Sequence, residues 1–408
     1  MKKGILIFSI LAALLTYACA PIKVAEMDAS QTQTAGTDGP ASPQDIYVGA
    51  GFLITPAESE RLPQNDTVEQ IIAGMSIEQK IGQMFFPAFR RDSTGAGITQ
   101  INQNIIDIIN NYHIGGVILF SENITGSQQV TDYINNLQAA SSLPLFIGID
   151  EEGGRVLRTG ALDVPRIPSA LSIGETGDPQ LAYNSAKIIA EYLKPLGFNV
   201  NFAPVADVFT NPVNSVIGDR AFAREPAGAA QMVAAFTRGL LDGGIIPTLK
   251  HFPGHGDTIE DSHFSAAVTY RTLEELAERE FIPFQAGIDA GAPFVMTGHV
   301  GTPNITGNNI PALFSSYLLQ DILRDSLGFS GVIITDALDM AAVTQYYSPE
   351  EAAVQAILAG ADILLMPENL ERAYTGVANA LESGVLTETR IDESVRRILT
   401  AKYNAGII

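Results

Sequence analysis

One stretch of fourteen residues concentrates side chains that can transfer protons or bind metal ions. It reads Lys250-His-Phe-Pro-Gly-His-Gly-Asp-Thr-Ile-Glu-Asp-Ser-His263 and holds three of the five histidines of the chain together with two aspartates. Pro253, Gly254 and Gly256 favour an irregular loop over a helix or a strand. The composition of this loop predicts a catalytic or metal-binding site.

Two chemistries fit this loop. In the first, the loop binds a metal ion. The competent ligands would be His251, His255, Asp257, Asp261 and His263. In the second, Asp261 holds one ring nitrogen of His263 and raises its basicity, because side chains two apart on an extended segment point to the same side. The other nitrogen is then free for acid/base catalysis. A third interpretation is a purely structural loop.

The elements that would position these residues follow an alternating pattern of short apolar runs and amphipathic stretches of helical length. This pattern indicates repeated strand–helix units around a parallel sheet. The predicted strands are Ile81–Phe86, Gly116–Phe120, Leu145–Ile149, Asn199–Ala203, Ile246–Leu249, Phe294–Thr297, Val332–Thr335 and Ile363–Met366. The predicted helices are Ile98–Asn111, Gln128–Ala140, Gln180–Leu196, Ala227–Leu241, Leu273–Ala290, Pro349–Leu358 and Ile391–Tyr403. We therefore predict an α/β fold of the (β/α)8 TIM-type barrel class, with an open doubly wound sheet as the alternative.

Polar residues directly follow the predicted strands. They are Ser121, Asp150, Asp207, Lys250-His251, His299 and Asp336. In a parallel barrel the C-terminal strand ends surround one mouth, so we expect these side chains to meet there. Any one of them could be a turn residue, but their convergence on one rim favours an active site.

The composition excludes several classes of protein. The chain has 408 residues, of which 46% are hydrophobic and 17% charged, so it can bury a large core and is not disordered throughout. Lys and Arg number 24 against 45 Asp and Glu, and the net charge of −21 argues against nucleic-acid binding, which needs clustered cations. A single cysteine excludes an internal disulfide.

The N-terminus resembles a bacterial lipoprotein signal. A basic start is followed by the apolar run Ile5–Leu15 and by a small residue directly before Cys19. The run is too short to span a membrane as a helix. We expect a signal peptide over residues 1–18, a lipidated Cys19 opening a low-complexity tether over 19–63, and a single catalytic domain over 64–408. The alternative is an ordinary cleaved signal with an incidental cysteine.

Several motifs together resemble glycoside hydrolase family three, in its single-domain β-N-acetylglucosaminidase branch. The loop Lys250–Thr258, followed by Asp261-Ser-His263, is similar to the signature of that branch. The other similar segments are Met75–Met84, Ile149–Arg158, Asn211-Pro212, Gly218–Phe222 and Val332–Met340. The resemblance covers roughly residues 67–405 in the family's order.

The resemblance implies a retaining exo-β-N-acetylglucosaminidase. Asp336 would be the nucleophile, with Asp339 as the rival carboxylate, and the acid/base group would be His263 in a dyad with Asp261. The sugar-binding residues would be Asp150, Arg158, Arg220, Lys250 and His251. A structural alternative pairs the two arginines with Glu152 and Asp219. The resemblance implies no cofactor and no bound metal.

The resemblance also implies a substrate and a location. We expect a carbohydrate substrate with terminal N-acetylglucosamine, from peptidoglycan fragments or amino-sugar oligosaccharides. The protein is expected to be a monomer in the cell envelope that contacts the membrane only through its lipid anchor and binds no nucleic acid. Two-domain β-glucosidases of the family need a domain after the barrel, and because the sequence ends at Ile408 we expect the single-domain branch instead. The alternatives are a metal-dependent barrel hydrolase and a non-catalytic sugar-binding lipoprotein.

Overall fold

The structure is a computed structural model that describes residues 66–258 and 267–408. Asp261 and His263 lie outside the described residues, as do Cys19, the predicted signal peptide and the tether. In the described part of the chain, no helix has both the length and the apolar character needed to cross a membrane.

In the described part of the chain, eight parallel strands form a closed ring. They are β1 Phe85–Phe86, β2 Gly116–Leu119, β3 Phe146–Ile149, β4 Val200–Asn201, β5 Ile246–Phe252, β6 Phe294–Thr297, β7 Val332–Thr335 and β8 Leu364–Leu365. Strands β2 to β7 pair in chain order, and β1 pairs with β8. Parallel bridges between Ala88 and Ile118 and between Ile334 and Ile363 complete the ring. The predicted barrel is confirmed, and the open doubly wound sheet is wrong.

Phenylalanine side chains fill the inside of the ring. The ring centres of Phe86 and Phe202 lie 5.6 Å apart, and those of Phe146 and Phe294 lie 5.3 Å apart, both pairs meeting edge to face. Gly148 provides the space for them, because a Cβ atom there would lie 2.8 Å from the Phe202 ring. Large side chains on some strands thus face small ones on others, and the interior is a packed core without a pore.

Helices cover the outside of the ring. The longer ones are Gln103–Tyr112, Ser127–Ala140, Pro179–Leu196, Pro226–Asp242, Phe281–Asp289, Pro349–Ala359, Leu370–Glu382 and Glu388–Asn404, with a π-helical segment Tyr317–Ser326. The shorter ones are Asp66–Gly74, Ile77–Gln83, Ala170–Gly174, Leu273–Ala277, Pro303–Thr306 and Ala341–Thr344. Residues at the helix ends determine where the helices begin and end. Ser348 and Glu351 form a capping box at the start of Pro349–Ala359, and Gly360, with φ of 123°, follows its last residue.

Several predicted elements are wrong in part. The predicted helix Ile98–Asn111 begins only at Gln103. The predicted strand Ile81–Phe86 is helical over its first three residues and becomes β1 only at its end. A short apolar run cannot distinguish a buried helix from a buried strand. The predicted helix Leu273–Ala290 is interrupted after Ala277 and resumes at Phe281, and the break places the Glu280 side chain inside the protein.

Lys402, on the last helix, is fully buried at the N-terminal end of the barrel. Its Nζ donates a hydrogen bond of 2.8 Å to Oε1 of Gln83, the last helical residue before β1. The same atom lies 5.1 Å from the centre of the Phe146 ring, at the start of β3. Burial lowers the pKa of Lys402 from its ordinary value to about 7.

Replacing Lys402 with methionine should stabilise the protein, and more so at low pH. The unfolded lysine has a pKa of 10.5 and the folded one of about 7, so the unfolded state binds more protons between these values. The stability of the wild type therefore rises with pH through this window. Urea denaturation should give the variant its largest advantage at about pH 6 and a much smaller one at about pH 10. An equal advantage at both pH values would contradict this assignment.

Candidate active site

The C-terminal ends of the strands bring most of the predicted polar residues to one mouth. Asp150 directly follows β3, Lys250 and His251 lie near the end of β5, and Asp336 directly follows β7. Nζ of Lys250 lies 2.8 Å from Oδ1 of Asp150, which joins two of these strand ends directly. Ser121 is exposed at the start of a short helical turn.

Glu152 occupies the centre of the charged network at this mouth, with 5% of its side chain exposed. Its Oε1 lies 2.6 Å from Nζ of Lys250 and 2.8 Å from Nη2 of Arg220, and Nε of Arg220 donates to Oε2 at 2.9 Å. Burial alone would raise the pKa of Glu152, but the two cations outweigh it and hold the pKa well below its usual range. Glu152 is therefore ionised and fixes both cations.

The arginines of the mouth have different partners. Arg220 makes a two-pronged contact with Glu152, one of the two acids that the structural alternative names for this pair of arginines. Arg158 instead faces Asp150, with 3.5 Å between Nη2 and Oδ2. Asp219 pairs with Arg155 at 2.8 Å, so the predicted structural pairing of Asp219 is wrong. Arg158 thus lies beside Asp150, another predicted sugar-binding residue. Arg220 is bound by the buried carboxylate of Glu152.

The orientation of His251 is set by Asp207. The Asp207 carboxylate is fully buried, and its Oδ2 lies 2.8 Å from Nδ1 of His251. Its Oδ1 accepts backbone N–H groups of His251 at 3.3 Å and of His255 at 2.7 Å. The second ring nitrogen of His251 lies 3.5 Å from Nη2 of Arg220. A buried carboxylate therefore holds both the ring and the backbone of the loop in place.

The carboxyl groups of Asp336 and Asp339 differ in acidity. Burial alone would raise the pKa of Asp336, but nearby positive charge, chiefly from His299 and His251, together with the N–H of Ala337 at 2.8 Å, holds that pKa below its ordinary value. The pKa of Asp339 is raised, mainly because surrounding protein removes water from its carboxyl group, with Asp336 adding to the rise. Asp336 is the more acidic group of the two.

Two loop histidines that were candidate metal ligands have protein partners. Nδ1 of His251 faces Asp207, and Nδ1 of His255 lies 2.7 Å from Oγ1 of Thr258. Between residues 66 and 258 and from 267 onward, no group of three or more His, Cys, Asp or Glu side chains is arranged to hold a metal ion. Asp257, a further candidate ligand, pairs with Arg271 at 3.0 Å. Asp261 and His263, which complete both hypotheses for this loop, lie outside the described residues.

Sequence reasoning did not assign the roles of Glu152 and Asp207. Glu152 was considered only as a structural partner of an arginine, and Asp207 only as a residue after a predicted strand. The signal for Glu152 was present in the run Asp150-Glu-Glu152 directly after β3, because three adjacent acids at a strand end need cations to balance them.

The closed barrel and the paired charges at its C-terminal mouth define the class of protein, a (β/α)8-barrel protein with a polar site at the strand ends. Comparison with family models matches residues 76–401 to the glycosyl hydrolase family 3 N terminal domain. The chain belongs to glycosyl hydrolase family 3.

Individual relatives agree with this family. Beta-hexosaminidase A of Pseudoalteromonas piscicida is 35% identical over 335 residues, which are 75% of this chain and 56% of that protein. Beta-hexosaminidase of Stenotrophomonas maltophilia is 39% identical over 292 residues, which are 69% of this chain and 85% of that protein. The chain thus spans just over half of the first relative and most of the second.

Solved structures are also similar to this chain. A glycoside hydrolase family 3 beta-N-acetylglucosaminidase from a Paenibacillus species superposes with a TM-score of 0.78 at 37% identity, covering 82% of this chain and 63% of that one. The LpqI structure from Mycobacterium tuberculosis has a TM-score of 0.73 at 32% identity, covering 82% of this chain and 96% of that one.

Replacing Glu152 with alanine should destabilise the protein by about 3–5 kcal/mol, because it removes the carboxylate shared by the buried Lys250 and the largely buried Arg220. Urea denaturation measures this loss. The matched control is Glu350→Gln, which removes an exposed carboxylate paired with Arg372 at 2.8 Å and should change the unfolding midpoint little. Similar small effects of both substitutions would show that Glu152 does not organise the mouth.

Proposed function

We propose that this protein is a retaining exo-β-N-acetylglucosaminidase that removes terminal N-acetylglucosamine from peptidoglycan fragments or amino-sugar oligosaccharides. The observation that carries the proposal is the ionised Asp336 carboxylate at a strand end beside a network of cations and carboxylates. The names of the similar proteins, two beta-hexosaminidases and a beta-N-acetylglucosaminidase, support the choice of sugar.

Asp336 suits the role of nucleophile better than Asp339. It directly follows β7, and its backbone N–H donates to the carbonyl of Thr297 at the end of β6, so it is held by two strands. The N–H of Ala337 orients its carboxylate at 2.8 Å. A nucleophile must be ionised and rigidly placed, and the raised pKa of Asp339 makes that residue the poorer candidate.

The reaction proceeds in two displacements. In the first, a carboxylate oxygen of Asp336 forms a bond to the anomeric carbon, and the bond from that carbon to the leaving oxygen breaks. His263, oriented by Asp261, donates a proton to the leaving oxygen. In the second, His263 takes a proton from water, the water oxygen bonds to the anomeric carbon, and Asp336 leaves as a carboxylate. Two inversions at one carbon retain its configuration.

The other mouth residues bind the sugar in this proposal. Lys250, Arg158 and Arg220 donate hydrogen bonds to hydroxyl or acetamido oxygens, and Asp150 accepts from hydroxyl groups. Their mutual contacts support this role, because Asp150 is held by Lys250 at 2.8 Å and faces Arg158 at 3.5 Å. His251 completes the set, with its ring held by a buried carboxylate.

We also propose that the protein is a lipoprotein of the cell envelope, monomeric and facing the periplasm or the exterior. The support for the lipid anchor and the location is the N-terminal sequence, with an apolar run, a small residue and Cys19 in order. The tether over residues 19–63 would let the catalytic domain, residues 64–408, reach substrates away from the membrane surface.

A paired assay tests the proposed reaction. Protein beginning at residue 20 should release the aryl group from an aryl β-N-acetylglucosaminide much faster than from the matching β-glucoside, and a strong chelator should change neither rate. Loss of activity with chelator would instead favour the metal-dependent hydrolase. Sugar binding without release of either aryl group would favour a binding lipoprotein.

Asp336→Asn should reduce turnover of the aryl N-acetylglucosaminide below about 1% of wild type while N-acetylglucosamine still binds, because an amide cannot form the glycosyl-enzyme. Asp339→Asn is the matched control and should cost far less. Steady-state kinetics and product inhibition separate the two effects. Retention of more than a few per cent of activity by Asp336→Asn, or a greater loss in the control, would make the nucleophile assignment wrong.

A further inference from the structure

His299 is a fully buried histidine next to the proposed nucleophile, and it has no part in the two displacements. It lies two residues after the end of β6, the strand that pairs in parallel with β7. Thr297, the last residue of β6, accepts the backbone N–H of Asp336 at 2.9 Å. The bonded strand ends therefore place His299 at the turn that carries the nucleophile.

The ring of His299 is bonded to the backbone of this turn. Its Nε2 lies 2.9 Å from the carbonyl oxygen of Ala337. Because a carbonyl oxygen only accepts hydrogen bonds, Nε2 carries a proton and is the donor in this contact. The backbone N–H of Ala337 in turn donates to Oδ1 of Asp336 at 2.8 Å. His299 thus fixes the residue whose N–H orients the carboxylate of the nucleophile.

The peptide group between Ala337 and Leu338 is held at both of its polar atoms. Its carbonyl oxygen accepts from His299, and its N–H donates to the carbonyl oxygen of Leu365 in β8 at 3.0 Å. This peptide group cannot rotate without breaking one of the two bonds. The preceding peptide group, whose N–H contacts the Asp336 carboxylate, is held in place with it.

His299 also supplies charge to the nucleophile. Burial alone would raise the pKa of Asp336, but nearby positive charge holds it below the ordinary value of 3.8, with His299 as the largest source. Smaller contributions come from His251 and Lys250, both on β5. Asp339, on the same turn as Asp336, opposes these cations, because two neighbouring carboxylates repel each other.

The two cationic residues on β5 already serve other acids. Nδ1 of His251 lies 2.8 Å from Oδ2 of Asp207, and Nζ of Lys250 lies 2.6 Å from Oε1 of Glu152. His299 differs from them, because both its ring N–H and its charge act on the turn that carries the nucleophile.

We propose that His299 is a positioning residue for the nucleophile, because its bond to the Ala337 carbonyl fixes the turn that carries Asp336 and its positive charge favours the ionised carboxylate. This inference rests on the proposed function. No bond to His299 forms or breaks in the reaction. Its charge favours the second displacement, in which Asp336 leaves as a carboxylate. Its bond keeps the carboxylate in place, and a misplacement of about 1 Å can cost on the order of 100-fold in rate.

Two substitutions separate the hydrogen bond from the charge. His299→Gln places an amide N–H close to the position of Nε2, so it can still donate to the Ala337 carbonyl, but it carries no charge. His299→Phe keeps a planar ring and removes both the donor and the charge. The substrate is dinitrophenyl N-acetylglucosaminide, because dinitrophenolate departs without a proton and kcat/KM then reports the attack by Asp336.

The pH profile of kcat/KM is the measurement that a merely structural role would not change. The wild-type value should fall only below pH 3.8, where Asp336 becomes protonated. In both variants burial still raises the pKa of Asp336, and less positive charge opposes it. The acid limb should therefore move to higher pH by about 1 unit or more. An unchanged acid limb in both variants would overturn the proposal.

At about pH 7, where Asp336 stays ionised, the two variants should differ in kcat/KM. His299→Gln should remain within about fivefold of the wild type, because the bond to Ala337 is kept. His299→Phe should lose at least about tenfold, because the Ala337 carbonyl loses its donor and the turn can shift. Equal values for the two variants, whether both near the wild type or both far below it, would overturn the positioning role.

His113 provides the matched control, because it lies before β2 on the N-terminal side of the barrel. It has φ of 48°, a left-handed conformation that asparagine also adopts. His113→Asn should change neither kcat/KM nor the acid limb, and a shifted limb there would overturn the assignment to His299. If His299→Phe does not fold, the acid limb of His299→Gln decides the test by itself.

The outcomes separate this inference from the proposed function. Wild-type turnover with unchanged acid limbs in both His299 variants would overturn the positioning role while the hydrolase remained established. Absence of wild-type turnover would overturn the proposed function and this inference with it.

Discussion

The arrangement of the mouth depends on one buried carboxylate, Glu152, which binds the buried Lys250 and the largely buried Arg220. Lys250 and Arg220 approach from different parts of the chain, and without a common counter-charge they would repel each other. Removing the water around all three groups is costly, so the network is stable only when every charge has a partner at hydrogen-bond distance. Glu152 meets this condition for both cations, and Asp150 adds a second partner for Lys250.

Closure of the barrel brings these groups together. A parallel ring directs all its C-terminal strand ends to one side, so residues as distant in sequence as Asp150 and Lys250 become neighbours. The closure itself depends on the packing of phenylalanines against small residues inside the ring. At Gly148 the Phe202 ring occupies the space that a Cβ atom would need.

Some parts of the candidate site were predicted from the sequence and others were not. The loop motif and the polar strand ends located the mouth correctly, because residue types and strand order are both visible in the sequence. Glu152 and Asp207 were not given roles, because a buried carboxylate is recognised by what surrounds it. The structural alternative named Glu152 and Asp219 as the partners of the two arginines, and only Glu152 binds one of them, Arg220, whereas Arg158 faces Asp150.

The sequence by itself determined the alternation of strands and helices, the α/β class with a parallel sheet, the family and the candidate residues, because periodicity, helix caps and motif spacing are local properties. Only the tertiary structure decided that the ring closes and where β1 begins. It also decided that Asp336 is more acidic than Asp339, and that Asp207 holds the ring of His251. These outcomes depend on burial and on charges brought together from distant parts of the chain, and such distances exist only after the chain has folded.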